Sequence, residues 1–147
     1  MHFGILTPQA RALVKGREKA PRVFGEVRFF ERRNCVLVVA HISGLPKNES
    51  GFYGFHIHSG DSCEGKDFSE SKSHYNPQNT AHPNHAGDLP PLMLCGDRAH
   101  LEVLTDRFNI SEIIGKTVII HNMPDDFRTQ PSGNAGEKIA CGIIKEP

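Results

Sequence analysis

The chain has 147 residues, 37 % of them hydrophobic and 23 % charged, which suits one globular domain over residues 1–147 with a sizeable core. Seventeen basic side chains balance seventeen acidic ones, so no strongly basic surface points to nucleic acid or to an anionic membrane. No apolar run approaches the length of a membrane span. The first eleven residues contain no basic segment followed by an apolar stretch. That predicts no secretory signal and a cytoplasmic setting, with periplasmic or secreted as the alternative.

Strand signals recur at short intervals. Residues 10–16 give a short first strand, 22–30 a second with fair alternation, and 35–42 a β-branched third that ends at Ser43-Gly44-Leu45-Pro46. Residues 51–58 form the fourth. From 59 to 91 the pattern dissolves into Gly, Ser, Asp, Pro, Asn and His; so long a stretch inside a compact domain is usually functional or disordered. Residues 92–95 and 100–104 read as a pair around Gly96-Asp97, and 109–114 as a helical turn. A strong strand at 117–121 and a last one at 138–145 flank a second long loop, 122–136. Short strands with two long loops predict an all-β sandwich or barrel.

The histidines are the most telling feature. His56 and His58 project from one side of their strand, because strand side chains alternate faces. With Phe55 and Ile57 turned to the core, these imidazoles stand on the outer wall. His74, His82, His85 and Asp88 follow in the first long loop, and His121 ends the β-branched run of the 117–121 strand. Six imidazoles and a carboxylate exceed the needs of one ion, so two ions are expected. Imidazole suits copper and zinc, and three imidazoles with a carboxylate make a closed tetrahedral zinc set.

The motifs GFHIH at 54–58, HYNP at 74–77, HAGD at 85–88, VIIH at 118–121, GNAG at 133–136 and IACG at 139–142 stand in one order along the chain. From about residue 12 to residue 144 the sequence resembles the copper,zinc superoxide dismutases, and the bacterial members more than the eukaryotic ones. The resemblance implies an eight-stranded Greek-key β-barrel or sandwich with two long functional loops. It implies a copper ion held by His56, His58, His74 and His121, and a zinc ion held by His74, His82, His85 and Asp88. His74 would be a shared imidazolate that opens on the copper side, takes a proton and returns it, while superoxide anion is disproportionated to oxygen and hydrogen peroxide. Asp125 matches the carboxylate that hydrogen-bonds ligands of both metals, and Cys63 and Cys141 match an intrasubunit disulfide. One position departs from the family: the Arg expected two residues after GNAG is Lys138. The positive charge survives but the planar donor fork does not. The resemblance leaves room for a homodimer and for a copper donor, and identifies neither.

A copper- and zinc-buffering module with weak or no turnover is the rival reading, and a zinc-only structural domain another. The enzyme is favoured because all four copper ligands and the shared ring are retained. His2, His41 and His100 are given no role, His2 being terminal and the other two on solvent faces of strands. Asp126 is read as a solvated loop residue, and Cys35 and Cys95 as buried free thiols.

Overall fold

Alternation of small and apolar side chains sets the register of the first strand. In β1 (Ala10–Gly16), Ala10, Ala12 and Val14 are buried while Arg11, Leu13 and Lys15 face out. This computed structural model describes residues 7–147, so His2 and the start of the segment read for a leader lie outside the described residues. β2 (Phe24–Arg32) and β3 (Cys35–Ser43) continue the antiparallel ladder, and β3 buries Val36, Val38, Ala40 and Ile42 on alternate positions. Then come β4 (Phe52–Tyr53), β5 (Phe55–His58), β6 (Leu92–Met93), β7 (Arg98–Thr105), a single helical turn α1 (Ile110–Ile113), β8 (Thr117–His121) and β9 (Lys138–Lys145). A 3-10 turn over Lys66–Ser71 lies in the first long loop.

Seven strands form one curled antiparallel sheet in the order β5-β8-β9-β1-β2-β3-β7. After β3 the chain crosses to the far edge to make β5, and after β7 it crosses back to make β8. The two-stranded ribbon of β4 and β6 bridges the edges, since β4 leads directly into β5 and β6 packs against β7. The core fills the inside with Val27, Phe29, Val38, Ile42, Phe55, Ile57, Val118, Ile120 and Ile144 among others. Each such side chain contributes about 1.5–3 kcal/mol on burial. Strand β8 is buried along its whole length. Its second face lies under the long loops, where Ile119 joins Phe68 and Cys141 in a smaller cluster against Cys63. That second cover explains an unbroken β-branched run in place of alternation.

Three expectations change. The segment 51–58 is not one strand but two, in different sheets, broken at Gly54: a side chain there would lie 2.7 Å from the Ala135 Cβ and 3.3 Å from the His56 ring. The nine strand segments therefore reduce to the eight expected if β4 and β5 count as one. Residues 92–95 do not pair along 100–104; Leu92 and Met93 pair with Tyr53 and Phe52, and only a Cys95–Arg98 bridge closes the Gly96-Asp97 turn. Cys35 and Cys95 are free thiols, yet neither is buried: Cys35 is half-buried and Cys95 exposed, at the strand start and turn rather than in the core.

Candidate metal centre

Phe55 and Ile57 enter the core, so His56 and His58 leave the other face of β5, as alternation requires. That face is not open. The loops close over it, leaving His56 0 % and His58 2 % exposed. His121 arrives from β8, the neighbour of β5, at a register shift between Ile120 and His121. The first long loop brings His74 beside His58 through an isolated bridge, and a second bridge sets Asp88 against His56.

Two donor sets result. His56, His58, His74 and His121 form one, and His74, His82, His85 and Asp88 the other, each with its candidate ligand atoms within 4.8 Å of one another. His74 belongs to both. Its Nδ1 lies 2.7 Å from Asp88 Oδ1 and 3.2 Å from His85 Nδ1, on the second set's side. Its Nε2 is buried and has no hydrogen-bond partner. The structure thus gathers every histidine that the sequence singled out as a ligand, together with Asp88.

The outer nitrogens are fixed by acceptors, which determines the nitrogen each ring has free. His56 Nε2 donates to Asp125 Oδ2 at 2.8 Å, leaving its buried Nδ1 without a partner. His82 Nε2 donates to Asp125 Oδ1 at 2.8 Å. His82 Nδ1 lies 2.9 Å from Asp88 Oδ2 in a geometry that makes no hydrogen bond, the relation of two ligands around one ion. His58 Nδ1 donates to the Lys72 carbonyl at 2.8 Å and His121 Nδ1 to the Gly136 carbonyl at 3.2 Å, so their Nε2 atoms face each other 3.3 Å apart. Buried polar atoms are nearly always satisfied. Orphaned imidazole nitrogens converging in pairs therefore fit cations, and their chemistry is that of copper and zinc ligands.

Burial dominates the protonation of the rings. It pushes His56 down to about 4 against the opposing pull of Asp125, and His121 down to about 3 with help from neighbouring His56. His58 is held well below its ordinary value, again first by burial and then by His121. Neutral rings are the metal-binding form. Burial raises Asp125, but hydrogen bonds from His56, His82 and the Phe127 N–H outweigh it and hold the carboxyl well below the usual carboxylate range. Burial likewise raises Asp88, and hydrogen bonding from His74 with the nearby rings reverses it.

Lys138 sits opposite His121 in the β8–β9 register. Its half-buried ammonium donates to Ser71 Oγ and to the Lys72 carbonyl, both at 2.8 Å, and burial lowers its pKa. Sequence reasoning missed Ser71, the Lys72 and Gly136 carbonyls, and Gln130, whose side chain holds the backbone of His82 at 2.9 and 2.7 Å. Gly133 was visible through the GNAG motif: at φ +75 a side chain there would lie 2.0 Å from Asp125 Oδ1. Cys63 and Cys141 form a disulfide that ties the first long loop to β9 across 78 residues. Asp126 is exposed and accepts from the Arg128 and Thr129 N–H groups at 2.8 Å, a loop-capping role.

A curled all-β sheet carrying two adjoining His-rich cation sets that share one ring defines a binuclear metalloprotein. The chain belongs to the copper/zinc superoxide dismutase (SODC) family, which it matches over residues 23–144. Membership implies copper and zinc as cofactors, in accord with the two donor sets. Cu-Zn superoxide dismutase 2 of Aquifex aeolicus (strain VF5) is 32 % identical over 139 residues, covering 84 % of this chain and 80 % of the relative. The Cu-Zn superoxide dismutase of Legionella pneumophila is 34 % identical over 133 residues, covering 85 % and 80 %. A Bacillus subtilis (strain 168) protein named superoxide dismutase-like protein YojM is 34 % identical over 120 residues, covering 71 % and 61 %.

Proposed function

We propose that this chain is a superoxide dismutase, an oxidoreductase that converts two superoxide anions and two protons to oxygen and hydrogen peroxide. His56 through Nδ1, and His58, His74 and His121 through Nε2, would hold copper. His74, His82 and His85 through Nδ1, with Asp88, would hold zinc. Copper supplies one-electron exchange between its cupric and cuprous states, and zinc supplies fixed charge without redox change. The remaining work falls to the protein. His74 Nε2, the atom with no protein partner, would serve in turn as a copper donor and, when released from the metal, as the carrier of a proton surrendered to the reduced product. Lys138 draws the anion toward the His58–His121 side of the centre, since its ammonium shares the Lys72 carbonyl with His58. Superoxide dismutases are themselves a standard instance of electrostatic steering, and a rate that falls as salt screens the field is expected of this chain.

One observation carries the proposal: a buried ring with a carboxylate and an imidazole on one nitrogen and an unpartnered nitrogen on the other. A buffering module has no need of such a shared ring. Protein loaded with both metals should suppress superoxide-driven reduction of cytochrome c, and copper removal should abolish the effect. Lack of suppression at full copper occupancy, checked by electron paramagnetic resonance, would leave the buffering reading standing.

Residues 1–147 act as one unit in this proposal. Among the described residues no helix is long and apolar enough to cross a membrane. The Cys63–Cys141 bond is of a kind that persists in oxidising compartments, which favours a periplasmic or secreted setting over the cytoplasmic expectation.

A further inference from the structure

We propose a third metal site, outside the two buried sets: the exposed imidazoles of His41 on β3 and His100 on β7, which together take a divalent cation of the zinc class. The two residues are direct partners in the β3–β7 ladder, so both side chains leave the same face of the sheet. Their ring centroids are 4.1 Å apart with planes at 60°. Two nitrogens on one tetrahedral zinc, each about 2.0–2.1 Å from the ion, stand roughly 3.3 Å from each other. Rings this close reach that spacing by side-chain rotation, with no movement of the strands.

A carboxylate is already in place. Glu102 lies two residues along β7 and therefore on the same face, with Oε1 3.1 Å from His100 Nε2. Glu26, the partner of His41 on its other side, is less available: it lies 3.5 Å from Arg28 and 3.9 Å from Arg11. Arg98 stands on the same face two residues before His100 and adds positive charge, which limits the site to moderate affinity. Both imidazoles are exposed, and 47 % of the His100 side chain is open. Ligation there costs little desolvation and leaves the remaining coordination positions to water. No residue of this group belongs to either buried set.

The test uses untagged protein whose buried sites have first been saturated with copper and zinc and freed of excess metal. Calorimetric titration with Zn2+ should then show about one further equivalent bound per chain, the stoichiometry of a single two-imidazole chelate. H41N and H100N should each abolish it, and E102Q should weaken it by about 10-fold. Both histidines are exposed, so neither change threatens the fold, and circular dichroism checks this. No further equivalent in the unsubstituted protein, or the same equivalent retained in H41N or H100N, overturns the proposal. The readout is heat of binding at filled buried sites, so it is independent of whether the protein turns over superoxide.

Discussion

Replacing Asp125 with alanine removes one carboxylate that serves two rings and the Phe127 N–H, each at 2.8 Å. Loss of such a partner costs about 10–100-fold in metal affinity, which is about 1.4–2.7 kcal/mol. The loss should fall unevenly. His56 sits on β5, with its backbone in register opposite Ile119 and its neighbours Phe55 and Ile57 locked in the core, so the strand still aims its ring. His82 lies in the first long loop with no strand partner. Apart from Asp125, its hydrogen bonds run through its backbone to Gln130, so the substitution takes away the one hydrogen bond that orients the ring. Asp125→Ala is therefore expected to lower zinc affinity by about 100-fold and copper affinity by about 10-fold or less. Chelator-competition titrations near neutral pH, one metal at a time, measure both. Copper affinity falling as far as zinc affinity, or neither changing, would refute the idea that the strand and the carboxylate divide the positioning in this way.

Lys138→Arg should raise the superoxide rate at low ionic strength by adding a planar donor fork; an unchanged or lower rate shows that the lysine does not serve the anion there. Ser71→Ala removes one of two acceptors of the Lys138 ammonium and should lower kcat/KM at low salt while leaving copper affinity unchanged. In the metal-free protein His56 and His121 titrate near 4 and 3 against an ordinary 6.5, so the unfolded chain takes up their protons first on acidification. The stability these neutral rings contribute should be fully present above about pH 6.5 and be lost progressively as the pH falls toward 4; denaturant melts across that range check the direction. Cys63→Ser should cost about 2–4 kcal/mol of stability in the same assay, by releasing the constraint on the unfolded chain.

The strands whose side chains carry their own signal were legible as such: β1, β8 and β9 stand where alternation, β-branching and the closing apolar run put them. The break at Gly54 was not, because it depends on Ala135 and His121 approaching from distant parts of the chain. Nor was the pairing of Leu92 and Met93 with the 52–53 segment, where a nearby turn signal suggested a local hairpin. At the centre, the ligand residues announce themselves through residue type and motif order. Their supports do not. The carbonyls of Lys72 and Gly136 have no residue-type signature, and Ser71 and Gln130 acquire roles only once the loops fold over β5. The burial of His56 and His58 is equally a product of those loops, since a strand pattern alone places them on an open wall.

His74 must stand between two cations for this chemistry to hold, and anomalous diffraction at the copper and zinc edges from crystals of the metal-loaded protein tests this directly. Copper is expected among His56, His58, His74 and His121, and zinc among His74, His82, His85 and Asp88, with the His74 ring reaching both. A map with that ring turned from either ion, or with one of the two sets unable to take up metal, would contradict it.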